Sequence, residues 1–206
     1  FNAFKKKFVN IYSPKKIKIL ILASGNGSNA ENIIKYFKKK DLKIHWVIIT
    51  NNPNAGVLEK SKKLKVPCLI INKEQFNDGS SLSIIEEIKP SLIILAGFLL
   101  KISESILENF PNKIINIHPS LLPAYGGRGM YGMNVHNKVI ENFEKQSGIT
   151  IHFVNKNYDE GKIIFQRKLK INYPCTSHFL AKKIHELEMK FFPLVIEDLI
   201  KTIHYE

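Results

Sequence analysis

The sequence predicts a single α/β domain: an open sheet, mostly parallel, ending in an antiparallel C-terminal part and covered by helices on both faces. Three observations predict it. From Ile17 onward short apolar runs alternate with stretches of helical periodicity, the pattern of strand-helix-strand units with right-handed crossovers. The early runs are almost continuously apolar, as in strands covered on both faces. The last two runs alternate polar and apolar residues, as paired strands do. At 206 residues with 44% hydrophobic content, the chain can bury a sizeable core in one domain. Residues 1–16 are read as a basic N-terminal extension and 17–206 as the domain.

Ile17–Leu22 is the first core strand, followed by the glycine-rich turn Ala23–Asn29 and a helix carrying Ile33, Ile34, Tyr36 and Phe37 that ends in Lys38–Lys40. The unit repeats with strand Ile44–Ile49, helix Ala55–Leu64 and strand Val66–Ile71. Leu82–Ile88 reads as helix, Ser91–Ala96 as a fully apolar strand, and Ser103–Phe110 as a short helix leading into a strand at Lys113–Ile115. Ala124–Met133 contains four glycines and is expected to be a mobile loop beside the site, although such a stretch also serves as a merely irregular connection. Val135–Phe143 is helical, and Gly148–Phe153 pairs with Lys162–Ile171 across a turn at Asn157–Gly161. A last helix spans Ser177–Lys201 on the stripe Leu180, Ile184, Leu187, Phe191, with Pro193 expected to kink or break it. The whole is Rossmann-like in its alternation.

Composition narrows the partners. Lys and Arg number 31 against 18 Asp and Glu, a formal charge of +13, which suits anionic small molecules or a lysine-biased proteome as well as nucleic acid. The lysines are scattered and lack the interleaved aromatics of a single-strand binder, so no nucleic-acid partner is expected. No apolar run approaches a membrane span. Cys68 and Cys175 match no metal-ligand spacing, so no metal is expected, and their rarity fits a reducing cytoplasmic setting.

Three segments carry candidate chemistry. In Asn116-Ile117-His118-Pro119-Ser120-Leu121-Leu122-Pro123, Asn116 and His118 share one face of a strand end, and the prolines turn the chain out of the sheet at the edge where ligands of open α/β sheets sit. An isolated Asn-x-His more often only caps a strand. In Gly25-Asn26-Gly27-Ser28-Asn29 the glycines let backbone approach a ligand, Ser28 or Asn29 can cap the helix, and free amides favour an anion such as phosphate. The same turn also serves plain strand-to-helix connections. In Asp159-Glu160-Gly161 a carboxylate sits in a turn, where Asp and Gly also occur for backbone reasons alone. Glu186 and Glu188 lie on the last helix, where glutamates are usually solvated.

Together these segments resemble the folate-dependent formyltransferases, and within them the branch that formylates glycinamide ribonucleotide in purine synthesis. The resemblance runs from Ile17 to the end and includes Leu95-Ala96-Gly97-Phe98 and Phe192-Pro193-Leu194-Val195-Ile196. It implies 10-formyltetrahydrofolate as co-substrate and transfer through a tetrahedral adduct with no covalent enzyme intermediate. It assigns His118 as general acid, Asn116 as a second oxyanion donor, and Asp159 as the carboxylate that orients His118 and raises its pKa. By the same likeness Gly25, Asn26, Gly27, Ser28 and Asn29 hold the ribonucleotide phosphate, with glycine at position 27 for backbone approach. Glu188 contacts the ribose. Leu99, Leu100, Lys101, Ile102, Asn116, Val154, Asn155, Lys156, Asn157 and Tyr158 line the folate pocket. Relatives carry arginine where Leu100 falls and near Gly79; Lys101 is the cation available in their place. The loop Tyr125–His136 is longer than in those relatives, and no role is carried over to it.

Three other readings compete. A formyltetrahydrofolate hydrolase usually carries an N-terminal regulatory domain, for which the first sixteen residues are expected to leave no room. A methionyl-tRNA formyltransferase shares the Asn-x-His-Pro-Ser motif but adds a C-terminal nucleic-acid-binding domain beyond the point where this sequence stops, and it lacks the turn at Gly25–Asn29. A non-catalytic nucleotide-binding module explains the turn and the charge but leaves Asn116, His118 and Asp159 without a purpose.

Overall fold

The computed structural model describes residues 17–40 and 42–205, with side chains through residue 202; the basic extension 1–16 lies outside them. Among the described residues seven strands form one sheet in the order β3-β2-β1-β4-β5-β6-β7. β1 (Ile17–Leu22), β2 (Ile44–Thr50), β3 (Cys68–Ile70), β4 (Leu92–Leu95) and β5 (Ile114–His118) are parallel, whereas β6 (Gln146–Phe153) and β7 (Ile163–Lys170) are antiparallel. The helices are α1 (Ser28–Lys38), α2 (Val57–Leu64), α3 (Lys73–Asn77), α4 (Ser80–Ile88), α5 (Glu104–Asn109), α6 (Met133–Glu141) and α7 (Ser177–Tyr205).

Strand alternation divides the core in two. Ile19 and Ile21 of β1 pack with Ile33, Ile34 and Phe37 of α1, Val139 of α6 and Ile184 and Phe192 of α7. Leu20 and Leu22 point to the other face, against Phe76 of α3, Ile85 of α4 and Ile106 of α5. These four β1 side chains are fully buried, each contributing about 1.5–3 kcal/mol. Helices therefore cover both faces, as the alternation predicted.

Three elements differ from the sequence reading. β3 is only Cys68–Ile70, not Val66–Ile71; it lies at the end of the sheet, with Leu69 and Ile70 40% and 50% exposed. α3 is an added short helix, started by a capping box in which Asn72 and Gln75 exchange side-chain-to-backbone bonds. The last helix is not broken at Pro193 but runs unbroken from Ser177 to Tyr205. Proline has no N–H for the carbonyl of Met189 four residues back, and Asn32 of α1 supplies the donor instead, its Nδ2 lying 2.7 Å from that oxygen.

Candidate active site

β5 delivers Asn116 and His118 to one face of its C-terminal end. The chain then leaves the sheet through Pro119–Pro123 and is bound down onto β6: Thr150 Oγ1 donates to Ser120 O at 2.7 Å and accepts from Leu122 N at 3.0 Å. This covering leaves His118 3% exposed. Its Nε2 donates to the carbonyl of Tyr125 at 2.7 Å, and its Nδ1 lies 3.5 Å from Asp159 Oδ2.

Asp159 arrives from the connection between β6 and β7, residues 154–162, and occupies the left-handed region with φ 58°. Gly161 closes that connection by passing against β6; a Cβ there would stand 1.6 Å from the Phe153 carbonyl oxygen, so only glycine fits. The Asp159 Oδ2 also accepts from Gly127 N at 2.9 Å, while Oδ1 lies 3.6 Å from His152 Nε2.

His152 is a site residue that the sequence reading missed. The register places it opposite Asn116. Its Nδ1 donates to the Phe153 carbonyl at 2.8 Å, so in the neutral ring Nε2 accepts from Asn116 Nδ2 at 3.2 Å. One amide hydrogen of Asn116 is thereby held, and the second is left for the cavity. Three buried polar residues in β6, Ser147, Thr150 and His152, were the available signal, but it acquires meaning only once the strand partner is known.

The electrostatics correct one expectation. Burial pushes the His118 imidazole below its ordinary pKa, and the Asp159 carboxylate and Tyr125 carbonyl, which pull it upward, do not overcome that. For Asp159, burial raises the carboxyl, but His152, His118 and the Gly127 N–H together hold it below the ordinary carboxylate range.

A cavity of about 540 Å³ opens on this cluster. Of the residues expected to line the folate pocket, Leu99, Leu100, Lys101, Ile102, Asn116, Val154, Asn155, Asn157 and Tyr158 border it, and Lys156 does not. Phe98, Met130, Tyr131 and Met133 line it in addition; the last three belong to the glycine-rich loop and to the start of α6. The Lys101 ammonium sits 5.8 Å from the centre of the Tyr158 ring. Asn29, His185 and Glu188 also border the cavity. Glu188 Oε2 accepts from Asn29 Nδ2 at 2.9 Å and lies 3.1 Å from His185 Nδ1. Glu186 is exposed and paired with Lys183 at 2.9 Å, as its helix position suggested.

In the glycine-rich turn only Asn29 borders the cavity; Gly25, Asn26, Gly27 and Ser28 do not. Neither Ser28 nor Asn29 caps α1. The cap is Gly27, with no side-chain bond, so no side chain takes the first-turn amides of α1 away from an anion. The fold itself gives two reasons for glycine at position 27: its φ is 72°, and a Cβ would stand 2.4 Å from Val57 Cγ2 of α2. At Gly25 a Cβ would meet nothing within 4 Å.

Among the described residues no helix is long and apolar enough to cross a membrane, and no group of three His, Cys, Asp or Glu is placed to hold a metal ion. A family model described as formyl transferase matches residues 17–196. The phosphoribosylglycinamide formyltransferase of Bacillus subtilis is 33% identical over 193 residues, covering 89% of this chain and 94% of its own. The chloroplastic phosphoribosylglycinamide formyltransferase of Arabidopsis thaliana is 32% identical over 201 residues, 92% of this chain and 69% of its own. The crystal structure of glycinamide ribonucleotide transformylase 1 from Symbiobacterium toebii superposes with a TM-score of 0.80 at 29% identity, over 88% of this chain and 86% of that one.

Proposed function

The chain belongs to the formyl transferase family, and from that premise we infer that it transfers the formyl group of 10-formyltetrahydrofolate to the amine of glycinamide ribonucleotide, a step of purine synthesis. The observation that carries the reading is the convergence of Asn116, His118 and Asp159 on one wall of the cavity. Residues 17–206 act as one formyltransferase domain in it.

The amine nitrogen attacks the formyl carbon and forms the new C–N bond, while the carbonyl oxygen takes up the electron pair as an oxyanion. Nδ1 of His118 and the second N–H of Asn116 donate to that oxygen. The attacking nitrogen loses a proton, and collapse of the adduct breaks the bond to the folate nitrogen, which leaves with a proton. Asp159 works against burial, keeping His118 closer to the protonated form a donor needs. Gly25 to Asn29 hold the phosphate, and Glu188 takes the ribose hydroxyls. The wall from Leu99 to Ile102, with Val154, Asn155, Asn157 and Tyr158, takes the folate.

Incubating the purified protein with 10-formyltetrahydrofolate and glycinamide ribonucleotide is expected to release tetrahydrofolate stoichiometrically with formylated product. Turnover with charged initiator tRNA and none with the ribonucleotide would replace this reading by the tRNA one. A cytoplasmic site of action belongs to the same proposal, supported by the unpaired Cys68 and Cys175; the Arabidopsis relative is chloroplastic, and a fluorescent fusion decides between compartments.

A further inference from the structure

We propose that Tyr125 is the positioning residue of His118: its carbonyl, aimed by a phenol tethered to Glu144, holds Nε2 of the imidazole and turns Nδ1 toward the reacting oxygen. The proposal rests on the formyl-transfer reading for its kinetic part only. A carbonyl accepts and never donates, so the Nε2 at 2.7 Å from Tyr125 O carries a hydrogen whether the ring is neutral or charged. The other nitrogen has only an ion-pair approach, 3.5 Å to Asp159 Oδ2, at the outer limit for a hydrogen bond. The ring is therefore oriented by Tyr125, the part that sequence reasoning gave to Asp159.

The tether explains why a tyrosine stands there. Tyr125 has φ 58°, a conformation that a bulky residue adopts only where its surroundings impose it. Glycine would adopt it freely, and the next two residues are glycines. Here the phenol donates to Glu144 Oε1 at 2.7 Å and accepts from Asn142 Nδ2 at 2.8 Å. Glu144 is itself fixed, its N–H donating to Val139 O at 3.2 Å and its carbonyl accepting from the Tyr173 hydroxyl at 3.1 Å. The anchor lies beyond the C-terminal end of α6, so the loop that starts at Gly126 leaves from a residue held at both its carbonyl and its phenol.

The test combines imidazole nitrogen NMR with kinetics on the full chain. In the wild type His118 is expected as the Nε2–H tautomer when neutral. In Tyr125→Phe, which keeps the carbonyl but loses the tether, the tautomers should mix and kcat fall by about ten- to a hundredfold. KM for both substrates should stay within about twofold, and the alkaline limb of the pH profile should move down, because a weaker carbonyl contact no longer favours the protonated ring. Glu144→Ala should behave alike, and Glu144→Gln, which keeps an acceptor, should lose less than about threefold. A wild-type His118 carrying its neutral proton on Nδ1 overturns the proposal, and that measurement does not depend on any variant folding. So does a Tyr125→Phe enzyme with wild-type kcat, tautomer and pH profile. An inactive wild type with the Nε2–H tautomer in place would instead strike down the transfer reading while supporting the contact.

Discussion

Asp159 faces His118 with its Oδ2 3.5 Å from Nδ1, across the edge from which that imidazole meets the cavity. Burial lowers the His118 pKa and Asp159 raises it, so removing the carboxylate charge lowers it further. An enzyme that needs protonated His118 loses activity as pH rises through that value. Asp159→Asn should therefore move the alkaline limb of kcat to lower pH and reduce the maximum on the order of a hundredfold to a thousandfold. An unmoved limb with near-normal rate would leave Asp159 a turn residue and nothing more.

Asn116→Ala removes one of the two proposed oxyanion donors without touching either substrate's anionic end. The expected outcome is a fall in kcat on the order of a hundredfold with KM for the ribonucleotide nearly constant. His152→Phe, which frees the Asn116 amide to rotate, should reproduce part of that loss. Steady-state kinetics of the two single variants and the double variant check the link: additive losses would mean that His152 does not act through Asn116.

Positions 25 and 27 separate fold from ligand. Gly27→Val meets Val57 and a left-handed backbone, and should cost more than about 2 kcal/mol of stability. Gly25→Val meets open space and should melt within a few degrees of the wild type while raising KM for the ribonucleotide and leaving the folate KM alone. Thermal melts alongside kinetics give the answer, and equal effects on both substrates would speak against phosphate at this turn.

Met189 O depends on Asn32 because of Pro193. Asn32→Ala should destabilise the fold by about 1–3 kcal/mol, the cost of an unpaired carbonyl. Pro193→Ala restores a helical N–H to Met189, so the same Asn32→Ala change should cost markedly less in that background. Urea unfolding of the four proteins in the cycle measures it, and identical costs in both backgrounds would exclude the compensation.

Folding stability should depend on pH through three histidines. His118 and His136 are pushed below their ordinary pKa by burial, so the unfolded chain, with a histidine pKa of roughly 6.5, binds those protons more tightly. Their stabilisation is full above that value and is lost as pH falls through the folded values. His185 is raised, first by its hydrogen bond to Glu188; its contribution is full below roughly 6.5 and is lost as pH rises through the raised value. Scanning calorimetry from acid to neutral pH should show Tm dropping on the acid side of roughly 6.5, with a smaller drop in His136→Gln. A Tm unchanged across that window would contradict the burial argument.

The order of strands and helices was legible because each apolar run and each helical stripe is local. The placement of Asn116 and His118 on one face of a strand end was legible for the same reason, two residues apart on a strand that prolines end, while their role entered only with the family resemblance. Asp159 was distinguished from an ordinary turn residue only through the family resemblance, since nothing near it in sequence shows that its loop folds back over β5. His152 was not legible at all: a histidine in an apolar strand becomes a partner of Asn116 only through the β5–β6 register. The continuous α7 was hidden likewise, because the group that compensates Pro193 sits on α1. The direction of the His118 shift needed the degree of burial, which depends on how Pro119–Pro123 is bound onto Thr150.

The register that seats Asn116 opposite His152 also says where this protein can accept change. Side chains of a strand alternate, so a one-residue insertion or deletion between Gln146 and Ile151 brings Ile151 or Phe153 to Asn116 and sends His152 into the core. The segment 128–132 lies outside the ladder, between the Gly127 contact with Asp159 and the first turn of α6. Its length and composition can drift without shifting Asn116 or His118. Diversity among descendants of this sequence should accumulate there, in the loop that borders the cavity, while β6 keeps its count of residues.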